Sequence, residues 1–154
     1  MSYLDELYSV KQPRIFYRNS YYHAYNRGNH YQKIFYESED YEKFIHYLKY
    51  AERISTVDIY GYCLMPNHYH LLLRLGSNEK DLSKFFHSSM TSYSMYFNKK
   101  YHQVGRLCQD RYQYRLLLGE DEIYKIKNYL RQNPVKANLV RNSADYRWLS
   151  IYEG

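Results

Sequence analysis

The run from Val57 to Leu75 constrains the fold most. It reads as two strands, Val57 to Met65 and His68 to Leu75, joined by the turn-forming pair Pro66-Asn67, so the two are expected to be antiparallel neighbours. Successive side chains on a strand point to opposite faces, and Leu71-Leu72-Leu73 is apolar at every step. A strand apolar on both faces belongs in the middle of a sheet.

The flanking segments supply the rest of that sheet. Residues 20–26, Ser-Tyr-Tyr-His-Ala-Tyr-Asn, alternate as a first strand, and Arg27-Gly28-Asn29 stops it with turn chemistry. Glu39 to Ile54 is predicted to be a helix whose buried stripe is Tyr41, Phe44, Ile45, Leu48 and Ala51, with Glu39, Asp40 and Glu42 near its positive N-terminal end. Asp81 to Lys100 is a second helix with Leu82, Phe85, Phe86, Ser89, Tyr93, Tyr96 and Phe97 inward. A polar loop, Tyr101 to Gln109, precedes a fourth strand at Tyr112 to Leu118. The third helix, Asp121 to Asn133, is expected to end there because the residue before Pro134 is pushed out of the helical region. The order β-α-β-β-α-β followed by a helix predicts an α+β fold of the ferredoxin-like, split βαβ kind, an antiparallel sheet with helices packed on one face and the other open to a ligand. A chain of 154 residues fits a single domain, with a core at about 18–140, a leader over 1–17 holding Lys11, Pro13 and Arg14, and a tail over 141–154.

Charge and composition narrow the partners. The formal net charge is +6 and is spread along the chain rather than gathered in a tail, which favours a polyanion. Tyrosine is 23 of 154 residues, so some rings must reach the surface, where an amphipathic ring beside a cation suits nucleic acid. Most of the 23 serve as strand and helix-face residues. Cys63 and Cys108 are too few for a disulfide framework and read as reduced thiols of a cytoplasmic protein. Asp5 and Glu6 stand where a signal peptide would be apolar, and no apolar run is long enough to span a bilayer, so no membrane partner is expected.

Two places carry chemistry. His68 and His70, two apart on a strand, point to one face while Tyr69 and Leu71 point to the other. Paired neutral imidazoles bind divalent metals and leave room for an oxygen ligand and a phosphate. On the third helix, 100° per residue gathers Ile123, Ile126 and Leu130 on an apolar arc, with Tyr129 and Asn133 side by side on its flank and Lys125 one turn earlier. Asn133 has a second reading, as the cap of a short final helix at Pro134 to Leu139. His23, His30, His46, His87 and His102 carry no assignment.

Met65-Pro66-Asn67-His68-Tyr69-His70 together with Asn128-Tyr129-Leu130-Arg131-Gln132-Asn133-Pro134-Val135-Lys136-Ala137-Asn138-Leu139-Val140 resembles the single-tyrosine HUH transposases of short bacterial insertion sequences, most closely the REP-associated tyrosine transposases. Tyr25-Asn26-Arg27-Gly28-Asn29 and Gln109-Asp110-Arg111-Tyr112 extend the resemblance over about residues 20 to 150. Tyr69 departs mildly from the bulky hydrophobic residue usual between the two histidines. The resemblance implies a sheet of four or five antiparallel strands and a transposase that cleaves and joins single-stranded or hairpin DNA through a 5′-phosphotyrosine. It implies Tyr129 as nucleophile, His68 and His70 as ligands of Mg²⁺ or Mn²⁺, and Asn133 at the position of a polar third ligand, one methylene shorter than the glutamine of insertion-sequence members. Arg27, Lys33, Lys99, Lys100, Arg106, Arg111, Arg115 and Lys125 are the candidate DNA-binding cations, through phosphate contacts that give affinity with little sequence information. Insertion-sequence members resemble obligate dimers in which the tyrosine helix serves the partner's histidines, whereas the REP-associated branch can act as a monomer, so a homodimer stays open. The rival readings are a nucleic-acid-binding module without catalysis and a metal-dependent phosphodiesterase that uses water.

Overall fold

In a computed structural model, which describes residues 14–154, the predicted hairpin sits inside a five-stranded antiparallel sheet of order β4-β1-β3-β2-β5. The strands are β1 (Ser20–Arg27), β2 (Val57–Met65), β3 (His68–Leu75), β4 (Gln113–Leu117) and β5 (Leu149–Ile151). Lys11 and Pro13 of the expected leader lie outside the described residues. Arg14 lies inside them, its guanidinium over the rings of Tyr112 and Tyr114. β3 is the middle strand, as its three leucines require. With β1 on one side and β2 on the other, the first four strands have the split βαβ order.

Helices α1 (Ser38–Arg53) and α2 (Asp81–Tyr101) share one face of this sheet. There Phe44, Leu48, Phe85, Tyr93 and Phe97 close over Tyr22, Ala24, Tyr69, Leu71, Leu73 and Leu75. The other face, expected to be open, is covered: α3 (Gly119–Lys136) docks across it through Ile126 and Leu130, onto Cys63, Met65, Leu72 and Leu117. The correction follows from Leu72, which points away from its two leucine neighbours and would otherwise stand in water.

The end of the third helix and the expected tail also depart from expectation. α3 runs through Pro134 to Lys136, although Pro134 has no N–H to give the Leu130 carbonyl. The helix closes on Asn138 at φ 58°, with the Leu139 N–H donating to the Pro134 carbonyl at 3.0 Å. The residues expected to be a tail include β5, which adds an outer strand beside β2. Trp148 stacks flat on Tyr41 of α1 at 4.5 Å, fixing that segment to the core.

Gly28 ends β1 and holds the neighbouring loops together. Its N–H donates to the Asn67 carbonyl at 2.8 Å, and a Cβ here would lie 2.1 Å from the Gln32 carbonyl oxygen. Since that obstacle is backbone, Gly28→Ala is expected to cost about 2 kcal/mol of stability through forced displacement. The check is the urea midpoint at unchanged m-value, and wild-type stability would contradict the close packing.

Candidate active site

Strand parity and the apolar seat of α3 together build the site. His68 and His70 alternate with Tyr69 and Leu71, which are buried on the α1/α2 side, so both imidazoles face α3. Burial of Ile126 and Leu130 against the sheet turns the flank that carries Tyr129 and Asn133 toward β3. The Tyr129 ring stands edge-on to His70, with centroids 5.2 Å apart and planes at 88°. Asn133, one turn later, places its Oδ1 3.5 Å from His68 Nε2. The His68 and His70 rings are 5.1 Å apart, and Tyr25, opposite His70 in the strand register, stacks on it at 5.4 Å.

Local hydrogen bonds orient the donor atoms. Asn67 uses Nδ2 toward the Tyr31 carbonyl and turns Oδ1 to His68 Nδ1 at 2.7 Å, so Nδ1 carries the proton and the lone pair lies on Nε2. Asn133 donates from Nδ2 to the Tyr129 carbonyl at 3.0 Å, which turns its Oδ1 toward the same place. It is therefore not the cap of a following helix, as the second sequence reading had it; it lies inside α3. Two lone-pair atoms meeting at 3.5 Å fit a shared cation, because nitrogen and oxygen ligands about 2.0–2.2 Å from one ion are separated by roughly 3.0–3.5 Å. Among the described residues no three His, Cys, Asp or Glu side chains are arranged to hold a metal; the groups gathered here are two imidazoles and an amide. Burial, reinforced by His23 and His68, holds the His70 pKa well below the ordinary histidine value. It is neutral at physiological pH and chemically able to ligate.

The candidate cations divide into two groups. Lys33, Lys99, Arg106, Arg111 and Lys125 are exposed. Arg27 donates from Nε to Gln109 at 2.8 Å and lies over the Tyr31 ring, and Arg115 pairs with Glu122 at 3.4 Å. Lys100 does not belong on a free nucleic-acid face: its ammonium is held by Glu37, by Glu39 at 3.4 Å and by Asp40 at 2.9 Å. A run of lysines at a helix end does not show which of them a distant acidic helix start will take.

A cleft of about 620 Å³ lies on the opposite side of β3, between α2 and the 105–112 segment, bordered by Phe86, Met90, Leu107 and Tyr112. Tyr69 lines it while its neighbours His68 and His70 face α3, so the cleft is back to back with the imidazoles.

Sequence reasoning left out His23. It is fully buried, with Nε2 3.0 Å from His70 Nδ1 and its ring 6.1 Å from that of Tyr129. The one available signal was its parity with Tyr21 and Tyr25 on β1. Its partner depends on a register that pairs Tyr25 with His70, and the sequence does not reveal that register.

The fold and this geometry define a class of ferredoxin-like domain that offers imidazole, amide and phenol groups from one sheet face beneath a docked helix. Residues 16–133 match the family described as "Transposase IS200 like", and the chain belongs to that family of DNA transposases. The fold resembles the solved structure of a REP-associated tyrosine transposase bound to a REP hairpin, with a TM-score of 0.73 and 15% identity over 91% of this chain and 81% of that one. It also resembles a putative transposase from Deinococcus radiodurans R1, with a TM-score of 0.53 and 16% identity over 80% of this chain and 97% of that one. No curated protein sequence matches the chain. No helix among the described residues is long and apolar enough to cross a membrane.

Proposed function

We propose that this transposase cleaves and rejoins single-stranded, hairpin-bearing DNA through a covalent link between Tyr129 and a 5′ phosphate. The observation that carries the reading is the meeting of the Tyr129 phenol ring with His70 at 5.2 Å and of Asn133 Oδ1 with His68 Nε2. The hairpin is inferred from the structurally similar REP-associated transposase, which is bound to one.

The residues divide the work. Tyr129 Oη attacks phosphorus and gives up its proton; the P–O3′ bond breaks, the 3′ oxygen leaves as a hydroxyl after taking a proton, and the 5′ phosphate stays on tyrosine. A 3′ hydroxyl from another strand reverses the step and joins new ends, so no nucleotide cofactor is consumed. His68 and His70, through Nε2, and Asn133, through Oδ1, would hold Mg²⁺ or Mn²⁺, which supplies Lewis-acid stabilisation to the phosphate and the departing oxygen. Lys125, exposed one helical turn before Tyr129, and the exposed Lys33, Lys99, Arg106 and Arg111 supply phosphate contacts.

Labelled hairpin oligonucleotides with single-stranded flanks, incubated with Mn²⁺ or with chelator, test the reading. A protein–DNA adduct that survives boiling in detergent is expected with metal and absent with chelator. Nicked DNA without an adduct would transfer the attack to water, and binding without cleavage would make the chain a recognition module.

A further inference from the structure

We propose that His23 is a positioning residue that accepts a hydrogen bond from His70 Nδ1 and so fixes the tautomer in which His70 presents Nε2 to the active site. The inference rests on the reading of His70 as a ligand. Three observations carry it. His23 is 0% exposed on the sheet face that also carries Leu72 and Leu117, where an apolar side chain would avoid the desolvation cost of an imidazole. Its Nε2 lies 3.0 Å from His70 Nδ1, and His23 sits diagonally across the β1–β3 pair, two positions along from Tyr25, which faces His70 directly. The second imidazole is held in the same way, since His68 also uses Nδ1 for a hydrogen bond, to Asn67.

One proton lies on the line between His23 Nε2 and His70 Nδ1. If His23 donated it, His70 would carry its own proton on Nε2 and, with Nδ1 already engaged, would have no nitrogen left for a cation. If His70 donates it, Nε2 holds the lone pair, matching His68. Tyr25, stacked on the His70 ring at 14°, and Tyr129, edge-on at 88°, restrict the ring's rotation, so the proton position decides ligand competence. Outer hydrogen-bond partners of ligating histidines commonly have this role, and their loss costs about 10–100-fold in metal affinity.

Two measurements test it without DNA. In nitrogen-15 NMR of the wild type, His70 is expected to carry its proton on Nδ1, with Nε2 bare. In Mn²⁺ titrations followed by electron paramagnetic resonance, His23→Leu is expected to weaken binding about 10–100-fold, and His23→Gln, which retains an acceptor, to recover most of it. A proton on His70 Nε2 in the wild type, or unchanged Mn²⁺ affinity in folded His23→Leu, would overturn the proposal. If His23→Leu does not fold, the wild-type spectrum still decides. A wild type that shows the Nδ1 proton but binds no Mn²⁺ would remove the metal-site reading and leave the tautomer assignment standing.

Discussion

Tyr129→Phe is expected to remove all covalent protein–DNA adduct and to lower strand cleavage by at least about 10³-fold, while leaving hairpin affinity within a few-fold of wild type. The substitution deletes one oxygen and keeps the ring, so the edge contact with His70 and the Ile126–Leu130 seat of α3 remain. Because the side chain is only partly buried, the stability change should stay within about 1 kcal/mol. Cleavage at undiminished rate by this variant would show that water attacks, and Tyr129 would then be a structural neighbour of the histidines. Loss of binding together with cleavage would instead point to a damaged fold, which the melting curve would reveal.

The second large effect concerns stability, at the junction of α1 and α2. Asp40 is 0% exposed, and its carboxylate accepts from Tyr101 Oη at 2.5 Å, Tyr96 Oη at 2.8 Å, Lys100 Nζ at 2.9 Å and the N–H groups of Tyr36 and Glu37. Burial pushes its pKa up, but the hydrogen bonds from Tyr101, Lys100, Tyr36 and Tyr96 outweigh burial and hold the carboxyl below its ordinary value. Asp40→Ala would leave these donors facing one another, and a loss of about 3 kcal/mol is expected. That is a large part of the stability of an ordinary domain. The sign of the pH effect follows from a folded pKa below the unfolded one: the carboxylate's contribution is present above the unfolded value of about 3.9 and is lost as pH falls through the lower folded value. Asp40→Asn should therefore flatten the acid limb of the stability profile, and an unchanged limb would contradict the assignment. Lys100→Gln should likewise lower the urea midpoint rather than the salt dependence of DNA binding.

The hairpin of β2 and β3 was legible to the residue, because Pro66-Asn67 marks the turn and period-two alternation marks both strands. The apolar arc of the third helix was legible too, and with it the flank that turns Tyr129 and Asn133 toward the histidines. What the sequence withheld depends on long-range placement. Pro134 looked like a helix stop, but buried on α3 it stays in the last turn, and Asn138 at positive φ closes the helix instead. Leu149-Ser150-Ile151 is too short to show alternation, and it becomes a strand only because β2 offers it an edge. The open sheet face was inferred from fold order alone, and Leu72 already spoke against it. His23 and Lys100 are the instructive pair: one is placed by strand register and the other by packing of two helices, and neither reference frame can be read from spacing along the chain.

Mass spectrometry of the adduct trapped on a hairpin substrate tests the central claim most directly. After nuclease and protease digestion, the account predicts a nucleotide remnant joined through its 5′ phosphate to Tyr129 and to no other residue. A remnant on another tyrosine, or cleaved DNA with no remnant on the protein, would contradict it.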